Sequence, residues 1–132
     1  MGGPRLVTDG GEWPEREHAG RRRVECVGES NYQDVLESIA GGKQRESQEI
    51  GTNAVIRRQP VNPYDANAIQ VLIGGRLVAY LPRAVSAEYA PAMDRARTPE
   101  LPVPAEVRGG WRDGADEGHF GVVVWLAELD SL

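Results

Sequence analysis

The chain has 132 residues, 40% of them hydrophobic and 27% charged, which suits one domain with one core and leaves too little for a second. Its net charge of −5 argues against broad attraction to nucleic acid, so any such site has to be local. No run approaches the about 18 apolar residues of a spanning helix, and the first residues lack the apolar stretch of a signal peptide, so a soluble, cytoplasmic protein without membrane contact is expected.

Residues 1–20, rich in Gly, Pro and charge and without periodicity, read as a mobile tail whose one oddity is Trp13. The single domain then spans 21–132. "RRRVECVG" at 21–28 reads as a first strand, and Cys26, the sole cysteine, sits in its apolar run Val24, Cys26, Val27 as a core thiol rather than a disulfide partner. "YQDVLESIAGG" at 32–42 follows as a short helix, with Val35, Leu36 and Ile39 at helical spacing and Gly41 and Gly42 as its stop.

A strand, "GTNAVIRRQ" at 51–59, leads into the proline-rich stretch "PVNPYDAN", after which "NAIQVLI" and "RLVAYL" flank Gly74 and Gly75 as a two-residue hairpin. An unbroken hairpin register sets Ile73 opposite Arg76, Leu72 opposite Leu77, Val71 opposite Val78 and Ile69 opposite Tyr80. "PRAVSAEYAPAMDRAR" at 82–97 is a helix starting at Pro82 that Pro91 is expected to kink or split. "LPVPAEVRGGW" and "HFGVVVWLAEL" supply two last strands joined by the polar loop "RDGADEG". The resulting order β-α-β-β-β-α-β-β is mainly β, with two helices, and fits a small curled sheet or barrel of about six strands.

Catalytic and metal patterns are missing. The two histidines are His18 and His119, and neither supports a Ser-His-Asp arrangement. Asp113, Asp116, Glu117 and His119 match neither an EF-hand nor a zinc spacing and read as a solvated hairpin loop. "IGGRL" and "GGKQRES" lack the spacing and closing Lys-Ser/Thr of a phosphate loop, so no enzyme activity, cofactor or metal is expected.

The proline-rich stretch is the informative one. Pro60 ends a strand, Asn62-Pro63 initiates a turn, and Asp65 and Asn67 are suited to bonding the nearby backbone. Tyr64 is not required by that role. A rigid loop showing an aromatic face beside a carboxylate can stack a planar group and accept a hydrogen bond from a hydroxyl, as a terminal nucleotide offers; a purely structural turn accounts for most of the same residues.

"PVNPYDANAIQV" followed by "GGRLVAYLPR" resembles the central signature of the HIRAN domain, and the likeness runs over about residues 22–127. The resemblance implies an OB-like β-barrel and a non-catalytic module that grips single-stranded DNA at its 3′ end. It implies that Tyr64 stacks on terminal bases, that Asp65 meets the 3′ hydroxyl and that Asn62 shapes the loop. Tyr80 and Arg83 are implied at the end of the second hairpin strand, with Arg83, or Arg58, taking phosphate. Tyr32 and Trp111 are implied as further aromatic walls. A partner such as a DNA translocase or nuclease, in a DNA-repair setting, goes with that role. The family's Arg-Tyr-Tyr cluster is replaced here by "ESNYQ", and Gln59 stands where many members have Glu. The alternative is a module that binds a protein or peptide in the same pocket, which a net negative charge tolerates better.

Overall fold

Along β2 (Gln48–Arg58) every second residue from Gln48 to Ile56 is buried, the period-two pattern of a strand with one face on a core. The computed structural model describes residues 18–132; the expectations for Trp13 and most of the tail lie outside the described residues. Besides β2 the strands are β1 (Arg22–Glu25), β3 (Ile69–Ile73), β4 (Arg76–Tyr80), β5 (Glu100–Asp113) and β6 (Asp116–Leu126), and the helices are α1 (Gln33–Ala40) and α2 (Arg83–Arg95). The expected element order is the observed one.

The strands form one antiparallel sheet in the order β1-β6-β5-β2-β3-β4. It curls far enough for Val27, just past β1, to meet Tyr80 at the end of β4. Each of the two backbone N–H groups donates to the other's carbonyl at 2.9 Å, which closes the half-barrel at that point. Inside lie Ile50 and Ile56 of β2, Val71 and Ile73 of β3, Val107 of β5 and Phe120, Val122 and Val124 of β6. Cys26 belongs to this core, and burial, then the nearby Glu29, pushes its thiol pKa up.

Three expectations need correction. The β3–β4 hairpin keeps Ile73 opposite Arg76 and Leu72 opposite Leu77, but a bulge then pairs Val71 with Ala79 and Gln70 with Tyr80, not Val71 with Val78 or Ile69 with Tyr80. The extra residue, Val78, shifts the register beyond Leu77 by one, and Val78 and Ala79 are both buried at 0% exposure. Second, Pro91 does not split α2, which continues past it to Arg95. Pro91 and Ala87, whose carbonyl it leaves without a donor, are both on the exposed side, while Tyr89, Ala90, Ala92 and Met93 anchor the buried side. Third, "RDGADEG" is mostly strand: β5 and β6 continue to Asp113 and Asp116, leaving only Gly114 and Ala115 as the turn.

Polar side chains complete the edge of β6 where short β1 stops. Gln33 at the start of α1 donates from Nε2 to the Phe120 carbonyl (2.9 Å) and accepts the Phe120 N–H at Oε1 (2.8 Å), as a neighbouring strand would. A Glu29 carboxylate oxygen accepts the Val122 N–H at 3.1 Å. Glu29, the first residue of the "ESNYQ" segment, therefore serves the sheet. His18, the first described residue, stacks on Trp125 with ring centroids 4.4 Å apart, so the end of the segment read as a tail packs on the barrel.

Candidate nucleic-acid interface

The loop between β2 and β3 is held by its own side chains. Asn62 Oδ1 accepts the backbone N–H groups of Tyr64 (2.8 Å) and Asp65 (3.1 Å), and Asp65 Oδ1 accepts that of Asn67 (2.9 Å). The loop base is closed by Gln59 N–H donating to the Ala68 carbonyl at 2.9 Å and Ala68 N–H to that of Asp65 at 3.0 Å. Asn62 Nδ2 donates to Gln59 Oε1 at 3.0 Å, and the same oxygen accepts the Tyr80 hydroxyl at 2.9 Å. Burial first, and then the neighbouring Tyr80 hydroxyl, push the Tyr32 phenol above its usual pKa, which places Tyr32 beside this network.

Braced in this way, the loop leaves Tyr64 85% exposed. Beneath it opens a cleft of about 560 Å³ lined by Val27, Asn31, Gln59, the Asn62–Asp65 turn, Ala68, Tyr80, Leu81, Arg83 and Ser86. Arg83, in the first turn of α2, donates from Nη2 to the Tyr64 carbonyl (2.9 Å), and its Nε lies 3.6 Å from Asp65 Oδ2. The Arg83 side chain remains 74% exposed while that of Asp65 is tucked to 21%. Among the described residues the large hydrophobics left exposed are Val27, Val61 and Tyr64, all at this cleft or on its loop.

Five of the expected site residues, Asn62, Tyr64, Asp65, Tyr80 and Arg83, therefore meet at one cleft, and Tyr32 neighbours Tyr80. Two are elsewhere. Arg58 donates to both Asp94 carboxylate oxygens (2.9 and 3.2 Å) and to the Ala68 carbonyl (3.0 Å), with its side chain only 7% exposed, so it fastens α2 to β2. Trp111 lies on β5 across the ribbon from Gly118, with its indole where a Cβ of Gly118 would be, and is not part of the cleft lining. Val27 and Gln59 line the cleft although neither was expected as a site residue. For Val27 the signal was available, because it is out of phase with inward Val24 and Cys26. Of the acidic residues of the β5–β6 ribbon, Glu117 pairs with Lys43 and Arg112, which lower its pKa, and Asp113 with Arg45.

A small curled β-barrel with one braced aromatic loop over a cleft defines a binding module. The family model for the HIRAN domain matches residues 23–98, more than half of the chain, and the chain belongs to the HIRAN domain family, a family of DNA-binding modules. The matched span ends before β5 and so includes the whole cleft but not Trp111. Among solved structures the chain is similar to the HIRAN domain of human HLTF (23% identity over 83% of this chain and 78% of that one, TM-score 0.41). It is also similar to a protein from Lactobacillus plantarum (20% identity over 80% of this chain and 92% of that one, TM-score 0.43). No curated protein sequence matches it.

Proposed function

We propose that the chain binds the 3′ end of single-stranded DNA in the cleft beneath the Asn62–Asn67 loop and catalyses nothing there. The observation that carries this reading is Tyr64, held 85% exposed by a loop whose polar groups are internally paired, beside a carboxylate set back to 21% exposure. An aromatic ring carried on a braced backbone and open to water forms a stacking platform, worth ~1–3 kcal/mol per base. Asp65 accepts the terminal hydroxyl proton, Arg83 meets the adjoining phosphate, and Tyr80 and Tyr32 back the cleft. A DNA translocase or nuclease acting on the same end is the matching partner.

A second reading has its own support. Arg83 is the one basic residue among those lining the cleft, and Asp65 already faces it, so the rim has little positive charge for a phosphate chain. A peptide C-terminus, with one carboxylate for Arg83 and an apolar side chain for Val27 and Tyr64, asks for less.

Fluorescence anisotropy with an oligonucleotide ending in a 3′ hydroxyl, against one ending in a 3′ phosphate, separates these readings. The DNA-end reading expects the hydroxyl end to bind more tightly and Asp65→Ala to erase the difference. Equal binding of both ends, or full discrimination in Asp65→Ala, contradicts it, and affinity indifferent to salt favours the peptide.

A further inference from the structure

The bonds around Gln59 fix which way its amide points. Backbone N–H groups can only donate, so the Asn62 atom facing those of Tyr64 and Asp65 is its oxygen, and Asn62 then turns its Nδ2 toward Gln59. The Gln59 atom receiving that donor is therefore Oε1, and the Tyr80 hydroxyl donates to it as well. With both lone pairs of Oε1 used, Gln59 has only its Nε2 group left. Among the described residues Nε2 has no acceptor, nor is it sealed from solvent, since no buried side-chain polar atom there lacks a partner. Gln59 itself lines the cleft.

We infer that Gln59 is a ligand-binding residue, its Nε2 donating a hydrogen bond to an acceptor oxygen on the terminal nucleotide held under Tyr64. This rests on the DNA-end reading and adds to it a donor-only contact. A glutamine with a free amide can bond N6 and N7 of adenine together, accepting from one and donating to the other. Gln59 cannot, because its acceptor is consumed inside the protein, so it favours an oxygen on phosphate, guanine or a pyrimidine.

The test is Gln59→Glu in the full chain, titrated with a 3′-hydroxyl oligonucleotide beside the unsubstituted protein. A carboxylate still accepts from Tyr80 and Asn62 but offers an acceptor where the amide offered a donor. Binding should weaken about tenfold or more at neutral pH, while the Tyr64 and Asp65 amides keep their hydrogen-exchange protection. As pH falls toward the ordinary glutamic acid value of about 4.3, the introduced carboxyl regains a proton to donate, and the ratio of the two affinities should return toward one. Asp65, Arg83, Tyr80 and Tyr32, the other titratable groups at the cleft, are common to both proteins and cancel in that ratio. Unchanged affinity overturns the assignment, as does weakened binding with lost amide protection, which would make Gln59 a positioning residue only. Failure of the unsubstituted protein to bind the oligonucleotide overturns the assignment together with the DNA-end reading, whereas binding that ignores only the Gln59 substitution leaves that reading standing.

Discussion

Tyr64 packs against little of its own protein, so its ring can be removed without cost to the core. Tyr64→Ala is expected to weaken oligonucleotide binding by about 1–3 kcal/mol for each base stacked on the ring. Its unfolding free energy should stay within about 0.5 kcal/mol of the parent, as for a surface substitution. Parallel anisotropy titrations and denaturant curves check both halves. At this scale the sequence was legible where chemistry was local: Asn62 and Asp65 close their own turn within a few residues, and the Asn-Pro-Tyr-Asp spacing already implied it. It was not legible for Arg58 or Glu29, whose partners Asp94 and Val122 are 36 and 93 residues away. A charged residue beside a motif looks available until the fold brings its counter-ion to it.

The helix and strand ends show a second kind of constraint. Arg58 binds both Asp94 carboxylate oxygens through its Nε and Nη2, and these hydrogen bonds hold the Asp94 carboxyl below its usual pKa. A folded value below the unfolded 3.8 means that the pair's stabilisation is fully present above pH 3.8 and is lost as pH falls through the folded value. The stability difference between the parent and Asp94→Asn, measured by urea unfolding, should therefore shrink as the pH is lowered below that point. A difference independent of pH would show that the pair does not secure α2. In β5, Gly110 has φ +65°, and a Cβ there would overlap the Phe120 ring, itself only 2% exposed. Its carbonyl accepts from the Gln44 N–H (3.1 Å) and from Gln48 Nε2 (2.8 Å). Gly110→Ala should cost about 2–4 kcal/mol in equilibrium unfolding, combining left-handed backbone strain with overpacking. The Gly-Gly pair was visible inside a strand pattern, but what it made room for was not, because Phe120 approaches from another strand. The β3–β4 bulge was hidden because two glycines set only the turn, and the register shift lies beyond it, between Val71 and Leu72.

For the whole molecule, the order of strands and helices could be read from periodicity and turn residues, because each element's burial pattern is its own. Closure of the sheet could not, since it depends on one residue, Val27, meeting another, Tyr80, 53 positions later in the chain. That same contact builds a wall of the cleft. The cleft and the barrel closure thus share residues, and a ligand seated there should report on the closed end of the barrel. A second cleft of similar size, about 550 Å³, lies between α1, β2 and the Gly74-Gly75 turn, with Ser38, Asn53 and Arg76 on its walls. It has no exposed aromatic, so size alone does not choose between the two, whereas the chemistry of Tyr64 and Asp65 does.

The most direct measurement is a backbone amide chemical-shift map of the protein titrated with a short single-stranded oligonucleotide bearing a free 3′ hydroxyl. Shifts centred on Val27, Asn31, Gln59, Tyr64, Asp65 and Arg83, with Ser38, Asn53 and Arg76 unmoved, are the predicted result. Shifts centred on the Gly74-Gly75 cleft, or no saturable shifts at all, would contradict it.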